Sequence, residues 1–84
     1  MWNDRIRIAE RVRHDWSNLS TEERALVSEA MQRLDDDPIA GVPLLEPLRG
    51  TWSYRMRWIR VLYTIAPEAR AVVVMKIGRV AEES

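Results

Sequence analysis

The sequence contains no cysteine and only one histidine among its 84 residues. The absence of cysteine excludes a disulfide framework and any metal site built on thiolates. A single histidine is too few for the usual zinc sites, so neither a metal nor another cofactor is expected. No apolar run reaches the roughly 20 residues that a membrane-spanning helix needs, and the N-terminus carries charge from Asp4 onward. We therefore expect a cytoplasmic protein without a signal peptide.

The sequence also lacks net charge, because 13 basic residues balance 13 acidic ones. A neutral chain is not expected to coat nucleic acid through bulk electrostatics alone. The charges are nevertheless unevenly distributed. Residues 1–50 hold seven arginines against ten acids, whereas residues 51–84 hold five arginines and one lysine against three acids. An anionic ligand is therefore expected to bind the second part of the chain.

The first part of the chain predicts one strand followed by two helices, within a single domain that spans residues 1–84. Apolar and charged residues alternate through Ile6 and Ile8, with Trp2 on the same parity, as in a half-buried strand. The apolar spacing then becomes helical, and residues 20–23 have the pattern of a capping box that opens the second helix. That helix is expected to end just before Pro38, because proline disfavours helical geometry in the preceding residue.

A connection rich in proline and glycine follows the helices. Residues 37–50 contain three prolines and two glycines, which favour turns over regular structure. We expect this connection to be ordered and to pack down through Leu44, Leu45 and Leu48.

The last part of the chain predicts three strands, at 52–56, 59–65 and 71–77, with turns at 57–58 and 66–69. The predicted fold is therefore α+β. It has one mainly antiparallel four-stranded sheet, formed by the N-terminal strand and a C-terminal three-strand meander. Both helices are expected to pack on one face of this sheet.

Alternation along these strands predicts which side chains share a face, because successive side chains of a strand point to opposite sides. If the apolar parity packs on the helices, the last strand places Met75 among the covered residues with Val73 and Ile77. Val72 and Val74 then face the other way with Lys76. The cations predicted on this open face are Arg55, Arg57, Arg60 and Lys76, which either Arg5 or Arg7 can join.

Such a group of cations predicts an anionic ligand. Like charges on neighbouring strands repel one another unless an anion or a carboxylate screens them. Arginine presents a rigid and permanently charged fork that suits phosphate, so a polyanion is favoured. The alternative is that these are ordinary solvent-facing residues, whose charges are paired with acidic side chains of the same chain. The carboxylates considered for that pairing are Glu10, Glu46, Glu68 and Glu82.

The run GTWSYRMRWIRVLY at 50–63 resembles, without a gap, the G-x-W-S-Y-R-V-G-x-Y-R-V-I-Y signature of the RelE/ParE toxin superfamily. The elements L-x-x-D-P at 34–38 and L-x-G at 48–50 are similar to the connection found in that family. The run V-V-V-x-x-I-G-R at 72–79 resembles its last strand and the arginine after it. The resemblance implies a RelE-like fold and a bacterial toxin that is encoded beside a cognate antitoxin and bound by it in a hetero-oligomer.

The two branches of this superfamily imply different targets. RelE-like toxins enter the ribosomal A site and cut messenger RNA, whereas ParE-like toxins poison DNA gyrase. ParE-like toxins carry a longer helical hairpin, and only residues 9–36 are available here for both helices, so the RelE branch is favoured. A further alternative is a catalytically weakened homologue that acts mainly as an antitoxin-binding partner.

The resemblance also implies roles for individual residues. Arg60 matches the strand arginine that contacts the scissile phosphate. Arg79 matches the arginine after the last strand, which serves as a phosphate clamp or proton donor. Arg55 and Arg57 stand near positions where ribosome-dependent toxins place basic residues. The predicted catalytic residues are therefore Arg60, Arg79 and Arg55, and the predicted substrate-binding residues are Arg57, Lys76 and Trp58.

The chain departs from the family pattern where proton transfer is concerned. Several family members place a histidine beside the last arginine and a tyrosine a few residues later, whereas here Gly78 precedes Arg79 and the tyrosine position falls at Ser84. Arginine, with a pKa above about 12, is a poor general base. Lys76 can serve only if burial lowers its pKa. The usual turn glycine is replaced by Arg57, so the hairpin must adopt another geometry or strain this residue.

The remaining histidine and aromatic residues have structural interpretations. His14 falls between apolar helical positions and is expected to face solvent. Trp52 is expected to pack in the core, as are Tyr54 and Tyr63, with their hydroxyls at its rim. Trp58, at the hairpin tip, is the better candidate for contact with a base or a partner.

Overall fold

The computed structural model describes residues 5–80, so Trp2, Glu82 and Ser84 lie outside the described residues. Two helices and five strands follow one another in this part of the chain. They are β1 (Ile6–Ile8), α1 (Arg11–Ser17), α2 (Thr21–Asp36), β2 (Val42–Pro43), β3 (Trp52–Met56), β4 (Ile59–Ala66) and β5 (Ala71–Arg79). Short 3-10 turns lie at Pro38–Ala40 and Pro67–Ala69. Neither of the two helices within residues 5–80 has the length and apolar composition that a membrane-spanning helix requires.

The sheet has the strand order β1-β5-β4-β3-β2. The predicted α+β class, the two helices and the antiparallel β3–β4–β5 meander are confirmed, but the predicted count of four strands is wrong. The fifth strand is β2, in which Val42 lies opposite Ser53. At two residues it is too short for any alternation to show in the sequence. β1 runs parallel to β5, with Ile6 opposite Val72, so the sheet is mixed at this edge.

The two helices cover one face of the sheet. The predicted capping box is confirmed, because the Glu23 backbone N–H donates to the Ser20 hydroxyl at 3.1 Å and the Ser20 N–H donates to the Glu23 carboxylate at 3.0 Å. α2 ends at Asp36, just before Pro38 as predicted. Its apolar stripe packs on the sheet to form the core, whose fully buried side chains include Val27, Met31, Leu34, Ile59, Val61 and Tyr63. Trp52 stacks on Tyr63 with ring centroids 6.2 Å apart, as expected of a packing residue.

An irregularity between β4 and β5 changes which residues of β5 face the core. Tyr63 lies opposite Val74 while Leu62 lies opposite Lys76, so Met75 is an extra residue on β5, a β-bulge. Val72 and Val74 are consequently fully buried, and Met75 is 36% exposed. The prediction that grouped Met75 with the core and Val72 and Val74 with the open face is therefore wrong. A strand that is apolar at almost every position gives no alternation from which a bulge can be located.

The connection at 37–50 is held by the hydroxyl of Tyr63. This hydroxyl donates to the Pro38 carbonyl at 2.7 Å and accepts from the Gly41 N–H at 3.1 Å. The ring is fully buried, and burial raises the pKa of the Tyr63 hydroxyl. Tyr63, a core residue, therefore anchors the start of the connection at 37–50 through the hydrogen bonds of its hydroxyl.

The leucines of the connection contribute less than expected. Leu44 is partly buried, but Leu45 and Leu48 are 85% and 53% exposed, so the prediction that these two pack down is wrong. Since the Tyr63 hydroxyl already anchors the segment, the leucine pattern was not the feature that determined its path.

Candidate nucleic-acid interface

The face of the sheet opposite the helices carries the predicted cations of the hairpin. Arg55 on β3 lies directly opposite Arg60 on β4, and Lys76 on β5 lies opposite Leu62. The neighbours of Arg55 and Arg60 in their strands point into the core, so these two side chains point away from it. Lys76 follows the bulge residue Met75 and shares the side of its register partner Leu62, and all three cations are exposed. We call Arg55, Arg60 and Lys76 the basic face.

The basic face concentrates like charge. Directly opposed residues of an antiparallel pair are only about 5 Å apart, so Arg55 and Arg60 repel each other. Arg55 donates from Nε to the Arg57 carbonyl at 2.7 Å, which holds its guanidinium toward the turn. Within residues 5–80, no salt bridge reaches the basic face or Arg57.

The expected alternative, in which acidic residues of the same chain neutralise these arginines, is not found among the carboxylates that the structure describes. Glu46 pairs with Arg49 at 2.7 Å, and no hydrogen bond links Glu10 or Glu68 to the basic face. Glu82 lies outside the described residues. The local field of this face is therefore positive although the whole chain is neutral.

The two N-terminal arginines take different sides of the sheet. Arg7 lies at the register position of Val73, on the side of the basic face. Arg5 instead donates to the Asp35 carbonyl at 2.8 Å, near the end of α2. Arg7 is therefore the one that can extend the basic face.

The position next to Arg60 on β5 carries no side chain. The residue opposite it on β5 is Gly78, and a methyl group added there would meet no atom within 4 Å. The backbone beside the Arg60 guanidinium is thus accessible to a ligand. An anion can therefore approach Arg60 from the side of β5 without meeting a side chain at position 78.

Two of the predicted site residues lie on the other side of the sheet. Arg79 is opposite Ile59, whose side chain is fully buried under the helices, so Arg79 also points to the helical side. There it donates from Nε and Nη2 to the two carboxylate oxygens of Glu23, both at 2.7 Å. Trp58 is half-buried against the core, and its indole N–H donates to the same carboxylate at 2.8 Å. The structure does not bring Arg79 and Trp58 together with the basic face.

Glu23 was missed by sequence reasoning except as part of the capping box. Its carboxylate is almost fully buried, and the hydrogen bonds from Arg79, followed by those from Ser20 and Trp58, hold the pKa of Glu23 well below its usual range. In return, the hydrogen bonds to Glu23 raise the pKa of Arg79 above its usual value. Arg79 is therefore an even poorer proton donor than an ordinary arginine. Arg79 lies two positions after Ile77 in β5, and this shared parity was the signal in the sequence that the Arg79 side chain points toward the helices.

Glu23→Gln is expected to reduce the loss of stability at acid pH. An unfolded glutamate has an ordinary pKa of 4.5, and folding lowers it. The ionised carboxylate therefore stabilises the fold above about pH 4.5, and this stabilisation declines as the pH falls toward the folded-state pKa. Urea unfolding at about pH 7 and about pH 3 measures the effect, and the wild type should lose more stability between them than the variant. Equal losses would contradict this account.

Arg57 occupies the left-handed region, with φ of 57°, at the first of the two residues that connect β3 to β4. This position favours glycine, and the expected strain of a non-glycine residue is confirmed. Arg57 lies at the end of the hairpin, where its side chain is exposed and its backbone carbonyl contacts Arg55 of the basic face. A residue held in an unfavourable conformation at the edge of a charged surface is a candidate for function.

Arg57→Gly is expected to stabilise the protein by up to about 1 kcal/mol, because the left-handed conformation costs a non-glycine residue about 1–2 kcal/mol and the greater freedom of unfolded glycine offsets part of the gain. Urea unfolding measures this change.

The same substitution should weaken binding of single-stranded RNA. Arg57→Asn is the matched control, since asparagine tolerates the left-handed region but has no charge. A variant that loses stability would show that the turn is not strained.

Groups for proton transfer are scarce around the basic face. His14 lies on the outer side of α1, where its ring nitrogen is 3.3 Å from the Asn18 side-chain amide. Lys76 is exposed, so the burial on which its role in proton transfer depended is absent. Tyr54 and Tyr63 lie opposite Val61 and Val74, on the helical side of the sheet.

Among residues 5–80, no group of three or more histidine, aspartate or glutamate side chains is placed to hold a metal ion.

The chain is similar to solved structures, whereas no family model and no curated protein matches it. A chain of the RelBE2 toxin–antitoxin complex from Mycobacterium tuberculosis is 32% identical, with a TM-score of 0.86 over 98% of this chain and 97% of that chain. The isolated RelE toxin of E. coli is 18% identical, with a TM-score of 0.77 over 94% and 86% of the two chains. A YoeB/ParE toxin from Agrobacterium tumefaciens is 17% identical, with a TM-score of 0.75 over 93% and 99%. The first similarity extends to the sequence, and the other two show a shared fold.

Proposed function

This chain belongs to the RelE/ParE toxin superfamily, and from that premise we propose that it is the toxin of a type II toxin–antitoxin system, a ribosome-associated endoribonuclease that cuts messenger RNA. The main observation that supports this proposal is the basic face. Arg55, Arg60 and Lys76 project together from the side of the sheet that the helices leave open. Their charges have no carboxylate partner within residues 5–80.

RNA fits this surface through its phosphates. Arginine forks form paired hydrogen bonds with phosphate oxygens, and their planes can stack on bases. We assign Arg60, beside the open position at Gly78, to the scissile phosphate. We assign Arg55 to the same phosphate from the side of the turn, Arg57 to a neighbouring phosphate, and Lys76 to a contact further along β5. The strand of RNA would then cross β3, β4 and β5.

The proposed reaction uses the 2′-hydroxyl of the RNA as its nucleophile. A bond forms between the 2′-oxygen and phosphorus while the bond from phosphorus to the 5′-oxygen breaks. Negative charge grows on the phosphate oxygens in the transition state, where the Arg55 and Arg60 guanidiniums can stabilise it. Because no histidine or tyrosine of the described residues lies on this face, water is the proposed carrier of the proton from the 2′-oxygen to the 5′-oxygen. Electrostatic stabilisation is then the main contribution of the protein, and cleavage is expected to be slow.

A cognate antitoxin is the proposed protein partner, bound in a hetero-oligomer. Acidic residues of such a partner can neutralise the basic face. A second surface is an apolar pocket of about 250 Å³ beside the helices, lined by Ile8, Val12, Arg13, Trp16, Met31 and Ile77. Binding at both surfaces would block RNA and hold the partner. The proposed ribosomal target places the action of the toxin in the cytoplasm.

A specific observation favours a second candidate function. Arg79, which the family resemblance assigns to catalysis, is bound by Glu23 on the helical side of the sheet. Together with the scarcity of groups for proton transfer, this favours a protein that does not cut RNA. Such a protein is either a gyrase-inhibiting toxin of the ParE kind or a weakened homologue that acts mainly by binding its antitoxin.

Mapping of messenger RNA ends after induced expression separates these functions. Cuts at fixed positions within codons, on ribosome-bound messages, are expected for the proposed endoribonuclease. An SOS response without such cuts would instead identify gyrase as the target. Growth arrest with neither signal, or no arrest at all, would overturn the proposal. Arg49→Ala is a suitable control variant, because Arg49 is an exposed loop arginine already paired with Glu46.

A further inference from the structure

The carboxylate of Glu23 lies where three separate parts of the chain meet. It accepts four hydrogen bonds: two from Arg79 at 2.7 Å, one from the Trp58 indole at 2.8 Å and one from the Ser20 backbone N–H at 3.0 Å. A carboxylate has about four sites for accepting hydrogen bonds, so its capacity is filled. Glu23 therefore joins the first turn of α2 to the β3–β4 turn and to the end of β5.

Hydrogen bonds continue from this junction to the basic face. The backbone carbonyl of Trp58 accepts from the Val80 N–H at 2.8 Å, which fixes the turn against the end of β5. The residue before Trp58 is Arg57, whose own carbonyl accepts from Arg55 Nε at 2.7 Å. The turn is thus held from the helical side through Trp58, and it holds Arg55 on the opposite side.

The strain at Arg57 makes this support necessary. A two-residue turn with a non-glycine residue in the left-handed region has an unfavourable conformation by itself. Contacts from elsewhere in the fold must therefore hold it in place. The indole of Trp58, fastened by the buried carboxylate of Glu23, supplies such a contact at the adjacent residue.

Glu23 also determines the position of Arg79. Besides its two bonds to Glu23, Arg79 donates from Nη2 to the Asn18 carbonyl at 2.9 Å. The charge of Arg79 is neutralised by this carboxylate, and its guanidinium is held under the edge of the sheet. Arg79 is therefore kept away from the side chain of Arg60, although the residue before it, Gly78, lies directly opposite Arg60.

We propose that Glu23 is a positioning residue for the basic face. Its carboxylate fixes the β3–β4 turn and thereby the geometry of Arg55 and Arg57. The same carboxylate holds Arg79 on the helical side of the sheet, where Arg79 has a structural role. This inference rests on the proposed function, because it concerns how the same surface is presented to RNA. It assigns a role to a carboxylate that does not contact the RNA. It also assigns Arg79 to the support of the site and not to the reacting groups.

Two substitutions at Glu23 and one control test the proposal. Glu23→Gln keeps the shape of the side chain but removes its charge and presents an amide N–H₂ to donors that need an acceptor. Glu23→Asp keeps the charge on a shorter side chain and should restore part of the function. Ser20→Ala is the control, because it removes the cap of α2 and leaves the contacts of Glu23 to Arg79 and Trp58 in place.

Side-chain N–H signals measured by NMR provide the first readout, at a temperature where core amide signals show each variant to be folded. In Glu23→Gln, the signals of Trp58 Nε1, Arg79 Nε and Arg55 Nε are expected to shift and to exchange faster with solvent. Ser20→Ala should leave these three signals unchanged. The Arg55 signal is the decisive one, since Arg55 does not contact Glu23. An unchanged Arg55 signal in Glu23→Gln, or an equal change in Ser20→Ala, would overturn the proposal.

Cleavage of messenger RNA on purified ribosomes provides the second readout. For Glu23→Gln, kcat/KM corrected for the folded fraction is expected to fall about tenfold, because small errors in the placement of catalytic groups have large effects on rate. Glu23→Asp should recover part of that loss, and Ser20→Ala should match the wild type. Full activity of folded Glu23→Gln would overturn the proposal. If the wild type itself cuts no RNA, the proposed function fails, and the NMR measurement alone decides whether Glu23 positions the basic face.

Discussion

Arg60→Ala is expected to abolish the growth arrest that expression of the protein causes and to lower RNA cleavage on ribosomes by about 100-fold. Removal of a single group that stabilises transition-state charge typically reduces kcat by about 100- to 1000-fold. Arg60 lies at the centre of the basic face, with Arg55 on one side and the open space at Gly78 on the other. Toxicity assays and the rate of cleavage at the mapped sites measure the effect.

Stability measurements distinguish this loss of activity from misfolding. Arg60 is exposed and repels Arg55 across the strand pair, so its removal should leave the free energy of unfolding unchanged or raise it by a few tenths of a kcal/mol, up to about 1 kcal/mol. Arg60→Lys keeps the charge but loses the fork, and intermediate activity is expected. Arg49→Ala, which removes an arginine elsewhere, should stay toxic. A stable Arg60→Ala variant that is still fully toxic would show that the basic face is not the active surface.

The sequence was informative about the basic face because alternation in β3 and β4 is regular. Arg55 and Arg60 lie between apolar neighbours, and every one of these neighbours points toward the helices as predicted. The turn position of Arg57 and its strain also followed from the sequence. Local patterns of this kind survive in the fold because the sheet buries only one of its two sides.

The sequence was less informative where contacts depend on distant parts of the chain. The bulge at Met75 arises in a strand with almost no polar residues, so neither register had an advantage visible in the sequence. The placement of Trp58 depends on Glu23, which is 35 residues away in the chain. Arg79 was assigned to catalysis by family resemblance, although its parity with Ile77 already indicated the helical side. A family motif fixes the position of a residue in the chain, but the partner that a side chain finds depends on the rest of the fold.

The course of the connection at 37–50 illustrates the same limit. Its leucines were the most conspicuous apolar residues, yet Leu45 is 85% exposed. The segment is instead positioned by Gly41, which lies against the backbone of β3 and the hydroxyl of Tyr63. The requirement for a small residue at that point is a property of the assembled fold and has no local signature.

Gly41→Ala is therefore expected to destabilise the protein by about 2–6 kcal/mol, the sum of typical overpacking and unsatisfied hydrogen-bond penalties of about 1–3 kcal/mol each. A β-carbon at this position would lie 2.5 Å from the Tyr63 hydroxyl oxygen and 2.7 Å from the Ser53 carbonyl oxygen. The carbonyl belongs to β3 and cannot move alone. The connection must shift instead, which pulls the Gly41 N–H and the Pro38 carbonyl away from a hydroxyl that has no other partner in the described residues. Urea unfolding measures the loss.

Two further variants test this explanation. Gly78→Ala is the matched control, since a methyl group there meets nothing within 4 Å, and its stability should change by less than about 0.5 kcal/mol. Tyr63→Phe removes the hydroxyl and with it the shortest of the contacts at Gly41. Because the two substitutions disturb the same contact, Gly41→Ala should cost less in the Tyr63→Phe background than in the wild type, with a coupling of about 0.5–3 kcal/mol. Additive losses would show that the connection is not held by the Tyr63 hydroxyl, and that the backbone of β3 alone requires glycine at this position.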